Sequence, residues 1–285
     1  MTDPSKQGEQ EVKAFIHRIG PIVVFLHTVS PQESAQGKSE SSVGTGFLVQ
    51  FRGCKYFVSA LHNFFYKESG LAGVKASWES ARFKFHGKMP VNFEDASSFQ
   101  RHRLEIDTGV SLPNSFPDCL LINSKRDLIA VRLNSNDEKE KFEFAHFVNL
   151  EEVAFTEELQ DKMSLVTLGN PFDGRIPISE SKSALIPHLD HVLYDANLDT
   201  SWASSSLWST DYFFMPYSIY QEQIEPGGFS GAPVFAQGGT DDEPVWTANP
   251  RVVGVVLRYS SKRHTIVAVK IKVVIEMLEA EATHI

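Results

Sequence analysis

Short apolar runs punctuated by Gly, Pro, Ser and Asn dominate this chain. They fall at 22–29, 46–51, 55–60, 82–85, 120–122, 127–133, 164–168, 232–235, 252–257 and 265–269. Runs of this length, with no regular helical pattern between them, predict β-strands and therefore an all-β sandwich or barrel. Helical spacing is confined to the two ends. Val12, Phe15, Ile16 and Ile19 predict an amphipathic helix over about 8–19 that stops at Gly20-Pro21, and Val273, Ile275, Met277 and Leu278 predict a second one near the C-terminus. The polar run Asn134-Ser-Asn-Asp-Glu-Lys-Glu-Lys141 separates the strands into two groups. The expected organisation is thus an N-terminal helix over 1–20, a first β unit over 21–140, a second over 141–270, and a C-terminal helix over 271–285. Three polar stretches, at 33–42, 66–114 and 188–211, read as surface elaborations of that plan.

The composition narrows the function. The 285 residues are 42% apolar and 22% charged, which suffices for a sizeable core, and the net charge of −9 argues against a nucleic-acid ligand, which calls for a basic face. Residues 1–20 lack the layout of a secretory signal, and no window reaches the length of a spanning apolar helix, so a cytoplasmic location without membrane contact is expected. The two cysteines, Cys54 and Cys119, are too few for a disulfide framework and read as reduced core residues. His188, Asp190, His191, Asp195, Asp199 and Asp211 raise the question of a metal. His-x-x-His without a matching Cys or Glu pattern reads instead as a solvated loop, and no metal site is expected.

One stretch carries chemistry: Pro226-Gly-Gly-Phe-Ser-Gly-Ala-Pro-Val-Phe235. It reads either as a tight turn between strands or as a loop whose glycines let backbone N–H groups converge above the Ser230 hydroxyl, as acyl transfer requires. The second reading needs a base and a carboxylate. His62 ends the strand segment Lys55-Tyr-Phe-Val-Ser-Ala-Leu-His62, and Asp127 opens the apolar segment Asp127-Leu-Ile-Ala-Val131, where it would be partly desolvated and able to accept a hydrogen bond from an imidazole.

In this order the motifs resemble the chymotrypsin-like serine proteases, and among them the HtrA-type branch. Gly44-Thr-Gly-Phe-Leu-Val49 resembles the early G-x-G-F strand, Val58-Ser-Ala-Leu-His62 the T-A-x-H segment, Asp127-Leu-Ile-Ala-Val131 the D-[LI]-A-[VL] strand, Leu168-Gly-Asn-Pro-Phe172 the G-[NY]-P-x-G stretch, Gly228-Phe-Ser-Gly-Ala-Pro233 the G-[DN]-S-G-[GS]-P loop, and Val252-Val-Gly-Val-Val256 the strand along the specificity pocket. The resemblance spans about residues 20–280. It implies two six-stranded antiparallel β-barrels, Ser230 as nucleophile, His62 as general base and then acid, Asp127 as the group that fixes the imidazole tautomer, and the N–H groups of Gly228 and Ser230 as oxyanion hole. It needs no cofactor.

The chain departs from the family pattern in several places. Phe229 stands where pancreatic-type enzymes have an aspartate, so activation by pairing with a new N-terminus is not available. Asn63 follows His62 in place of a cysteine, which fits a reducing compartment. The peptide-binding domain usual in that branch is not expected here, so recognition is expected to fall to its own loops or to another protein, such as a protein activator. By the family's alignment the substrate pocket contains Ile224 at its base, Glu225 beside it, and Leu257, Arg258 and Tyr259 on its wall. Ile224 favours an apolar or small residue before the cut, whereas a Glu225 turned inward would favour a basic one.

The reading that follows is a selective serine endopeptidase acting on a protein substrate. A latent or inactive protease-fold binding module is the reading of a different class, since a fold alone does not establish activity. An α/β-hydrolase is excluded by the order of the motifs, because its serine precedes its histidine.

Overall fold

In the computed structural model, the residues described are 19–33, 39–85, 102–103, 110–111, 120–133, 146–159, 163–169, 190–197, 211–217, 227–236 and 251–282. The helix expected over 8–19 lies outside them except for Ile19, which leads into a 3-10 turn at Gly20–Ile22 with Pro21 in its first positions. The strands are β1 (Val23–Glu33), β2 (Ser39–Phe51), β3 (Cys54–Ala60), β4 (Arg82–Phe85), β5 (His102–Arg103), β6 (Val110–Ser111), β7 (Leu120–Asn123) and β8 (Leu128–Arg132). There follow β9 (Val148–Asn149), β10 (Ser164–Gly169), β11 (Asp190–Asn197), β12 (Tyr212–Pro216), β13 (Pro233–Ala236), β14 (Arg251–Ser260) and β15 (Thr265–Lys270). Helices α1 (Tyr66–Ser80), α2 (Leu150–Val153) and α3 (Ile271–Ala282) complete the described elements.

The expected all-β class is found, as two largely antiparallel sheets with few helices. The first runs β6-β4-β1-β2-β3-β8-β7, with β9 added in parallel to β2, and the second runs β12-β15-β14-β13-β10-β11-β5. Two short strands cross the polar run at 134–141: β9 joins the first sheet and β5 the second.

Alternation along the strands explains the layering. On β8, Leu128 and Ala130 face a core shared by both sheets, while Ile129 and Val131 face the first sheet's own core. The shared core takes Phe47 and Val58 from the first sheet, Val166, Phe235 and Val255 from the second, and Ile271, Val274 and Leu278 from α3. The second sheet's own core is built on Phe213, Met215, Phe229 and Val256.

Three hairpins have loops whose backbone is decided by single residues. β2 and β3 are joined by Arg52 and Gly53, both at positive φ (49° and 76°), the two-residue turn whose twist matches the strands. The β7–β8 loop spans residues 124–127 and ends on Asp127 at φ 58°; the β14–β15 loop spans 261–264 and ends on His264 at φ 48°. Asp and His tolerate this left-handed region better than most side chains do.

The polar stretch at 66–114 was expected to be a surface elaboration, yet it opens with α1, which buries Val74 and Trp78 against β1. Trp78 stacks on Phe64 at 6.1 Å between ring centroids and meets Phe57 edge-on at 6.2 Å. The helix is hard to read in the sequence because Gly70 and Gly73 interrupt it, Gly70 adopts φ 58° in a kink, and its apolar face consists of little more than two residues. Likewise the stretch at 188–211 contains β11, and residues 39–42 of the expected loop at 33–42 extend β2.

Candidate active site

β3 delivers His62. Its last residues, Val58, Ser59 and Ala60, are fully buried, and the chain then turns into a single 3-10 turn at Leu61–Phe64 that carries His62 out of the sheet. The neighbouring strand β8 begins where the β7–β8 loop ends, so the pairing of Ala60 with Leu128 brings Asp127 beside His62. Inside that loop the Arg126 N–H donates to both the carbonyl and the side-chain oxygen of Asn123, which sets the turn.

The two residues are locked by three hydrogen bonds. The Leu61 N–H donates to the Asp127 carbonyl at 2.9 Å, the His62 N–H to Asp127 Oδ1 at 3.0 Å, and His62 Nδ1 lies 2.7 Å from Asp127 Oδ2. A carboxylate can only accept, so it holds the imidazole proton on Nδ1 and leaves Nε2 with a free lone pair. Both side chains are partly open to solvent, His62 at 32% and Asp127 at 26%. A ligand can therefore reach the imidazole without the pair being fully hydrated.

The loop 227–232 of the second sheet meets this segment through its backbone. Its three central carbonyls are each engaged: Gly228 by the Thr45 hydroxyl at 2.6 Å, Phe229 by the Ala232 N–H at 2.8 Å, and Ser230 by the Thr45 N–H at 2.8 Å together with Asn63 Nδ2 at 3.0 Å. The Gly231 N–H in turn donates to Val256 on β14 at 2.7 Å. Ser230 is thus bonded to β2 and to the same 3-10 turn that carries His62. Phe229 is a hydrophobic anchor in the second core, packed so closely on β10 that a Cβ on Gly169 would come within 2.4 Å of its ring. Gly228 and Gly231 sit at φ 90° and 91°, a region open to glycine and strained for other residues.

Three interactions that the sequence does not disclose bind the Asp127 loop to the second sheet. Arg126 pairs with Asp211 and lies over the Tyr212 ring at 5.5 Å, and the Tyr212 hydroxyl reaches the Lys125 carbonyl at 3.4 Å. Burial opposes the charge on Arg126, but hydrogen bonding and attraction from Asp211 outweigh it and raise its pKa above the usual guanidinium value. Asp211, one of the residues weighed for a metal, is engaged in this pair. Thr45 and Ser59 are further residues of the site that motif reading left unassigned; the glycines on either side of Thr45 were the available sign, since glycine within a strand marks a close approach.

Of the residues expected to form the substrate pocket, Leu257, Arg258 and Tyr259 lie on β14, with Leu257 buried and Arg258 exposed. The Tyr259 hydroxyl meets His264 Nδ1 at 3.3 Å and its ring packs edge-on against Tyr217 at 5.6 Å. Ile224 and Glu225 lie outside the described residues, as do Cys119 and residues 170–172 of the Leu168-Gly-Asn-Pro-Phe172 motif. Among the described residues, no helix is long and apolar enough to cross a membrane. Compared with protein families and with curated proteins, the chain matches no family model and no curated sequence.

Proposed function

We propose that this protein is a serine endopeptidase of chymotrypsin-like architecture, in which the two sheets close as six-stranded barrels and Ser230, His62 and Asp127 hydrolyse peptide bonds of a protein substrate. The observation that carries this reading is the Asp127 carboxylate holding both the backbone N–H and Nδ1 of His62, beside a serine loop bonded to β2 through Thr45 and to Asn63, the next residue in the turn that carries His62.

In the proposed reaction Ser230 Oγ attacks the scissile carbonyl while its proton passes to His62 Nε2. The positive charge that develops on the imidazole is stabilised by Asp127, and the oxyanion by the N–H groups of Gly228 and Ser230. Phe229 O is committed to Ala232, so the Ser230 N–H of the same planar trans peptide points to the opposite side, which supports its role as a donor. Nε2 then returns the proton to the leaving amine, and water repeats the cycle on the acyl-enzyme. Positioned proton transfer contributes about 10²–10⁴ in rate and each oxyanion donor about 10²–10³. A cytoplasmic setting and a protein activator belong to the same proposal; two cysteines fit a reducing compartment.

The test is labelling with a fluorophosphonate, read by intact mass. Ser230 Oγ displaces fluoride from phosphorus only if its proton can leave through His62. The wild type is expected to form one adduct, and Ser230→Ala and His62→Ala none. Equal labelling of Ser230→Ala would place the nucleophile elsewhere, and no adduct on the wild type would favour a latent or inactive protease-fold binding module.

A further inference from the structure

We infer that Asn63 is a positioning residue that fixes the nucleophile relative to its base; the inference rests on the proposed role of Ser230. Asn63 follows His62 in the same 3-10 turn and is only 1% exposed. Its amide nitrogen has two N–H donors and two acceptors in reach: the Ser230 carbonyl at 3.0 Å and Ser59 Oγ at 3.2 Å. The Asn63 backbone carbonyl accepts the Thr28 hydroxyl at 2.6 Å, and Ser59 Oγ donates to the Thr45 carbonyl at 2.7 Å. A buried amide in such a network is held firmly, because losing a partner would leave a polar group desolvated.

The surrounding strand is shaped for this side chain. A Cβ on Gly44 would fall 2.3 Å from Asn63 Nδ2 and 2.5 Å from its Cγ, so only glycine at 44 leaves room for the amide. With Thr45 N–H on one lone pair and Asn63 on the other, the Ser230 carbonyl is saturated, and the Ser230–Gly231 peptide plane is fixed. The orientation of that plane sets where the Ser230 side chain starts. His62 is held by Asp127 on one side, and its neighbour Asn63 holds Ser230 on the other, so the base and the nucleophile share one rigid link. Aspartate has the shape but no donor, and would set a carboxylate against the Ser230 carbonyl; serine is too short to reach. Asn63 touches neither the reacting atoms nor a substrate, so its effect is on geometry, where a shift of about 1 Å can cost about 10²-fold.

The test compares wild type, Asn63→Asp and Asn63→Ala, with two readouts taken well below the melting temperature of each. The first is the rate constant for fluorophosphonate labelling. The second is the Ser230 carbonyl resonance in protein carrying ¹³C at serine carbonyls and ¹⁵N at glycine. The chain has two Ser-Gly pairs, Ser230–Gly231 and Ser69–Gly70, and the latter is the internal control. Both variants are expected to label at least about ten-fold more slowly and to move the Ser230 resonance while the Ser69 resonance stays. An unchanged labelling rate overturns the inference, and so does an unmoved resonance, even if melting temperatures fall; Asn63 would then be structural only. If the wild type forms no Ser230 adduct, the protease reading fails by itself and the resonance decides: movement upholds Asn63 as the group that holds Ser230, and none refutes it. Should Asn63→Asp fail to fold, Asn63→Ala, which adds no charge and no bulk, gives the same two readouts.

Discussion

Gly231→Ala should be among the most damaging single-atom-scale changes to this protein, whereas Gly227→Ala, four residues earlier in the same loop, should be nearly silent. At Gly231 the backbone sits at φ 91°, and a Cβ would lie 1.9 Å from the Thr45 carbonyl oxygen, 2.5 Å from Ser59 Oγ and 3.0 Å from the Ala60 nitrogen. Two of the three neighbours are backbone atoms of buried strands and cannot rotate away. Strain at this φ costs about 1–3 kcal/mol, overpacking about 1–3 kcal/mol, and weakening the bonds Thr45 N–Ser230 O and Gly231 N–Val256 O about 1–2 kcal/mol together. The sum, about 3–8 kcal/mol, is comparable with the whole stability of many domains. A Cβ on Gly227 meets nothing within 4 Å, so its replacement is expected to stay within about 0.5 kcal/mol. Urea unfolding followed by tryptophan fluorescence gives both values; failure of Gly231→Ala to fold while Gly227→Ala folds is the extreme form of the same result. Unfolding free energies for the two variants within about 1 kcal/mol of each other would refute the close approach of the serine loop to β2 and β3, on which the site depends.

Asp127→Asn keeps a side chain suited to φ 58° but removes the charge that, in the proposed mechanism, fixes the His62 tautomer; fluorophosphonate labelling is expected to fall by about 10⁴-fold with little loss of fold, and a loss under ten-fold would argue against the proposed role. Arg126→Ala, Asp211→Asn and the double variant form a cycle whose coupling should be about 1 kcal/mol for this partly buried pair, and a coupling near zero would deny that it clamps the Asp127 loop to the second sheet. Tyr56 has its pKa raised, first by burial and then by its hydrogen bond with Glu281 and that residue's charge. A group whose folded pKa exceeds its unfolded value of about 10 contributes stability fully below that pH and loses it as pH rises further. Tyr56→Phe should therefore show a shallower fall in melting temperature above about pH 10 than the wild type, and identical slopes would contradict it.

Periodicity and punctuation were enough to mark the all-β class, most long strands and α3, because each strand alternates between a buried face and a partner and so writes its own pattern. The edges of the pattern were not legible. β5, β6 and β9 are two residues long and exist only because a neighbouring strand offers hydrogen bonds, and α1 is held by the fit of Trp78 against Phe57 and Phe64 rather than by helix propensity. At the site, residue types and their order named His62, Asp127 and Ser230, since the proposed chemistry needs those functional groups. What the chain alone determined was therefore the list of candidate groups and the kind of element that carries each. Which atoms meet was settled by pairing that joins distant residues: Ala60 against Leu128 sets Asp127 beside His62, and the empty side of Gly44 admits the Asn63 amide that reaches Ser230 across 167 positions. Such contacts leave no periodic trace, because a hydrogen bond between far-apart segments depends on three-dimensional register and not on local composition.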